Sequence, residues 1–83
     1  MRNENEGFGL ESLLGETVTL MCANHIYAGK LICVGKEDIL LENPYIVYET
    51  GPWDKPGWTD AQKLPSDTLY VRIAFIESYG VLK

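Results

Sequence analysis

Basic side chains are scarce in this chain. Seven Lys and Arg stand against twelve Asp and Glu over 83 residues, for a net charge of −5 and a pI near 4.6. Strong nonspecific binding to nucleic acid draws on Lys and Arg to neutralise phosphates, and so few, so scattered, argue against it. A local positive patch made where copies of the chain meet stays compatible with these counts. Cysteine and histidine are scarcer still. Cys22 and Cys33 have no CxxC partner, and the single His25 cannot complete a zinc site with them within one chain. Two buried free thiols are the expectation, with no metal and no cofactor. No apolar run approaches the roughly 20 residues of a membrane span. The opening MRNENEGFG is polar and acidic, unlike the apolar core of a secretory signal. A soluble, cytoplasmic protein without a membrane partner is therefore expected. No Ser-His-Asp set, pair of catalytic carboxylates or Gly-rich phosphate loop can be assembled, so an enzyme is not expected.

What is present is enough apolar material for one small domain. Hydrophobic residues make up 46% and charged residues 23%, which argues against disorder. Residues 1–7 read as a flexible tail, and 8–83 as a single domain with a long loop at about 50–68. Leu10, Leu13 and Leu14 have helical spacing and stop at Gly15, which predicts one short helix of about two turns. In ETVTLMCANHIYAGKLICVG, Val18, Leu20 and Cys22 alternate with Thr17, Thr19 and Met21, the pattern of a strand in a hairpin. A two-residue turn at Asn24-His25 would pair Cys22 with Tyr27, Leu20 with Gly29 and Val18 with Leu31. It would also hold Cys22 and Cys33 too far apart for a disulfide. Gly29 within a strand marks a bend or a close backbone approach.

Ile39–Leu41 begins a third strand that YIVYE continues, with Pro44 at a bulge or an unpaired position. The segment TGPWDKPGWTDAQKLPSD is a long connection in which WTDAQKL is expected to make one helical turn. TLYVRIAFIESYGVLK reads as a fourth strand, bent at Ser78–Gly80 into a short fifth. One short helix and five strongly bent strands predict an all-β, SH3-like barrel.

These residues resemble the Sm-like (LSm) family. LESLLGETVTL is similar to that family's first helix, leucine-glycine stop and first strand. Tyr27-x-Gly29-x-Leu31-x-x-Val34 matches the aromatic-x-Gly-x-Leu-x-x-hydrophobe of its first motif. Asp38-Ile39-Leu40-Leu41-Glu42 is similar to its Asn-hydrophobe-x-Leu-Glu ending. The resemblance covers 10–43 well and 69–83 loosely, and lies closest to the homo-oligomeric bacterial and archaeal type. It implies a ring of copies, the fourth strand of one pairing with the fifth of the next, that binds single-stranded RNA. At the positions where the family holds uridine, Gly35 stands in place of Asp, Lys36 and Glu37 in place of a stacking residue, and Asp38 in place of Asn. Ionised Asp only accepts hydrogen bonds, whereas Asn also donates. The late motif keeps only Arg72, with Ile73 beside it.

Candidate RNA contacts are thus Lys36, Asp38 and Arg72. The 35–38 cluster reads more readily as a solvated turn, and Arg72 about as readily as a surface arginine paired with an acid. Trp53 and Trp58 offer a partner-binding platform or a cover for the barrel end. His25 reads as an exposed turn residue. The expected function is an RNA-associated Sm-like ring of altered specificity. The alternatives are an acidic ring serving as a protein-interaction scaffold and a monomeric SH3-like adaptor.

Overall fold

The computed structural model of the chain describes residues 9–49, 58 and 60–81. Within them, six antiparallel strands form one sheet: β1 (Thr17–Cys22), β2 (Ile26–Val34), β3 (Asp38–Glu49), β4 (Asp60–Lys63), β5 (Thr68–Arg72) and β6 (Ile76–Val81). Their order is β4-β3-β2-β1-β6. The first half of β3 pairs with β5 and its second half with β4.

The first hairpin reverses at Ala23-Asn24, where the Cys22 N–H donates to the His25 carbonyl at 2.9 Å. This is one residue earlier than the expected turn, so the register moves by two: Leu20 pairs with Tyr27 and Val18 with Gly29. Because side chains alternate with period 2, a two-residue shift leaves every side chain on its expected face. Val18 and Leu20 do point inward, where they pack with Leu31, Ile39, Leu41 and Val71.

Two irregularities in the β2–β3 pairing bend the sheet. At the first, Asn43 and Pro44 together oppose Gly29, the bulge expected at Pro44. A Cβ on Gly29 would lie 3.0 Å from the Glu42 carbonyl oxygen and 3.2 Å from the Leu41 Cβ, so only glycine allows this approach without displacement. Asn43 takes φ 51°, a left-handed conformation that Asn tolerates. At the second, Ile32 is the extra residue, since Leu31 pairs with Leu41 and Cys33 with Leu40. Beyond it Cys33 is exposed rather than buried; both cysteines are free, with Cys22 half-buried.

Three local expectations change. The short helix is a single 3-10 turn, Leu10–Leu13, caught between Gly9 and Gly15, both at positive φ. So few residues cannot offset the cost of nucleating an α-helix. Gly15 instead donates its N–H to Leu31 at 2.8 Å and starts the hairpin ladder. The segment expected to make a helical turn holds strand β4, because the second half of β3, beyond its pairing with β5, supplies it with ladder partners. The last strand breaks at a 3-10 turn, Ile73–Phe75, not at Ser78–Gly80, which lie inside β6. That break is where the chain leaves β3 and moves to β1. No helix among the described residues is long and apolar enough to cross a membrane.

Candidate functional site

The turn between β2 and β3 begins with Gly35, whose N–H donates to the Asp38 carbonyl at 2.8 Å. That closes the charged cluster into a tight reversal with Lys36 and Glu37 exposed at its tip. The following strand places Asp38 directly opposite Arg72 of β5. The two expected contact regions, far apart in sequence, therefore meet. The Ile73 N–H also donates to the Glu37 carbonyl at 2.8 Å, tying the last 3-10 turn to this reversal.

Arg72 is occupied. Its Nη2 donates to Glu37 Oε1 at 3.1 Å, and its Nε lies 3.1 Å from Asp38 Oδ1. The second contact is within ion-pair range but off the N–H direction, so the buried Oδ1 atom has no aligned hydrogen bond. The pairs are largely solvated, with Arg72 58% and Glu37 76% exposed, and each contributes little to stability. Their larger effect is on local charge: two carboxylates flank one guanidinium. Lys36 makes no ion pair among the described residues.

Two recesses adjoin this cluster. One, of about 270 Å³, lies on the outer face between the turn, Cys33, Leu40 and Tyr70. The other is an open groove of about 220 Å³. Its one wall is Cys22, His25 and Tyr27; its other is the consecutive run Leu69 to Arg72, with Phe75. Consecutive strand residues point to opposite faces, so a recess touching all four runs along the edge of β5 rather than one face. β5 pairs only with β3 among the described strands, so this edge has no ladder partner there. Tyr70 and Phe75 are exposed beside it, and the His25 and Tyr27 rings lie 5.8 Å apart. His25 is exposed, as expected, but it is also part of this wall. The groove was not legible from the sequence, because its walls belong to segments some 45 residues apart.

Trp58 is not a free platform. Its Nε1 donates to Thr19 Oγ1 at 3.3 Å and its ring lies 5.8 Å from that of Tyr45. Thr19, Ala28 and Tyr45 are neighbours on one rung of the sheet. The indole therefore lies over Ala28, which is fully buried although it faces away from the main core. Trp53 lies outside the described residues. No group of three or more His, Cys, Asp or Glu is gathered for a metal ion among the described residues.

No family model, curated protein or solved structure matches this chain. Its own geometry is what bears on function.

Proposed function

We propose that this chain is a small Sm-like protein whose sheet closes as an SH3-like barrel. Its copies join edge to edge into a homo-oligomeric ring, a non-enzymatic scaffold for protein contacts. Connectivity supports the closed sheet: β5 and β6 lie at opposite ends of the order β5-β3-β2-β1-β6, yet one 3-10 turn joins them.

The observation that carries assembly is an unfinished core along β6. Tyr79 pairs with Leu20 and Val81 with Val18, so both share the inward face of β1. Leu20 and Val18 are completely buried, but Tyr79 and Val81 are 41% and 40% exposed. A neighbouring copy paired along this edge would complete their burial. The groove along β5 suits such a strand, with a ladder edge in its floor and aromatic rings on its walls. The edges of β5 and β6 differ, so pairing one with the other is head-to-tail, and it gives a ring when the rotation closes. It also hides two strand edges that would otherwise template aggregation.

The acidic balance and the engagement of Arg72 by Glu37 and Asp38 favour protein over RNA at the loop face. RNA association is the second reading. It rests on Lys36 and on the meeting of the 35–38 turn with Arg72. Native mass spectrometry is expected to give one multiple of 9.3 kDa; a monomer would favour the adaptor instead. Oligo-U and oligo-A are expected not to bind even at low salt. Low-salt binding lost on Lys36→Ala would replace the scaffold reading with the RNA one.

A further inference from the structure

Two rungs on the outer face of the sheet carry apolar side chains, and they differ in cover. Trp58 lies over the rung Thr19-Ala28-Tyr45. The rung Cys33-Leu40-Tyr70, which crosses β2, β3 and β5, is open. Cys33 is exposed, and Tyr70 is 71% exposed, the highest value for a large hydrophobic side chain among the described residues. This rung forms the apolar side of the recess of about 270 Å³, and the 35–38 turn forms its polar side. There, Arg72 engages Glu37 Oε1 and Asp38 Oδ1. The second oxygen of each carboxylate has no hydrogen-bond or ion-pair partner among the described residues. Two acids, Glu37 and Asp38, and one base, Lys36, line the recess, in a chain of net charge −5.

We propose that this recess takes an arginine side chain from a partner protein. The proposal rests on the reading of the loop face as a protein contact and does not depend on assembly. Leu40 and Cys33 offer apolar surface to the methylenes of that side chain, which cover such surface while the charged head stays near water. The exposed Tyr70 ring offers a π-face, on which a planar guanidinium stacks and a compact ammonium does not. The free carboxylate oxygens accept from its N–H groups in charge-assisted bonds, as Glu37 Oε1 already does from Arg72. Two carboxylates against one guanidinium leave a negative charge for a second. Lys36, on the same rim, opposes the incoming cation, so its removal strengthens binding. That sign is the reverse of the RNA reading, in which Lys36 holds phosphate and its loss weakens binding.

The test is an amide-shift NMR titration of the full chain with three capped tripeptides, Gly-Arg-Gly, Gly-Lys-Gly and Gly-citrulline-Gly, citrulline being the neutral isostere of arginine. The arginine peptide is expected to shift the amides of Cys33, Leu40, Tyr70 and the 35–38 turn, the lysine peptide to shift them less, and the citrulline peptide not at all. Tyr70→Ala is expected to weaken arginine binding by about two- to fivefold, and Tyr70→Phe, which keeps the ring, to preserve it. Glu37→Gln should weaken it and Lys36→Ala strengthen it. Equal responses to the arginine and lysine peptides, unchanged in Tyr70→Ala, would mean diffuse attraction to an acidic surface and overturn the site. A response confined to the β5 groove, or none, overturns it too and leaves the loop-face reading standing. Oligo-U binding lost on Lys36→Ala overturns the loop-face reading itself.

Discussion

Gly29 is the residue on which the bend of the sheet turns. Asn43 and Pro44 crowd opposite it, with backbone where a Cβ would be. Gly29→Ala is expected to lower stability by about 1–3 kcal/mol, read as a lower denaturant midpoint at unchanged slope; an unaltered midpoint would show that the bulge yields. The two thiols separate for a different reason. Burial, and secondarily the Glu77 carboxylate, push the Cys22 thiol above its ordinary pKa, while Cys33 is exposed beyond the Ile32 bulge. Alkylation proceeds through the thiolate. Iodoacetamide at about pH 8 should therefore label Cys33 first, with Cys22 gaining as pH rises through its raised pKa. Peptide mapping that found equal rates would contradict this assignment.

Among the elements, β4 and Trp58 act together. β4 pairs with the second half of β3, and Trp58 lies over the Thr19-Ala28-Tyr45 rung. The small side chains of Thr19 and Ala28 leave the space the indole fills. Trp58→Ala is expected to cost about 2 kcal/mol through lost apolar burial, and Trp58→Phe about 1 kcal/mol through the lost hydrogen bond to Thr19. In a domain of this size, each 1 kcal/mol lowers the melting temperature by roughly 4–8 °C. A melting temperature untouched in Trp58→Ala would mean that the indole does not cover Ala28 in solution.

At the scale of the whole molecule, the fully buried core side chains lie on β1, β2 and β3, while β6 carries apolar side chains half in water. Tyr79→Arg is therefore expected to leave the subunit folded, since the position is already 41% exposed, and to prevent assembly by placing a charge in the proposed interface. Circular dichroism with native mass spectrometry separates the outcomes: a folded monomer supports β6 as the joining strand, and an unchanged oligomer assigns the contact elsewhere.

Much of the strand content was legible locally. Alternation placed Val18 and Leu20 inward, Pro44 marked the bulge and Gly29 the close approach, because period-2 patterning and backbone sterics act over a few residues. The hairpin register was off by two and the faces were still right, for the same reason. What the sequence could not determine was every feature set by partners distant along the chain. β4 is a strand because β3 offers it a ladder, and the last strand breaks at Ile73 because its partner changes from β3 to β1. Arg72 is a clamped residue rather than a free cation because the fold sets it against Asp38 and Glu37. Local propensity bears on what a segment can be; tertiary hydrogen bonds and ion pairs decided which of those forms it took, since only they satisfy its backbone and its charges.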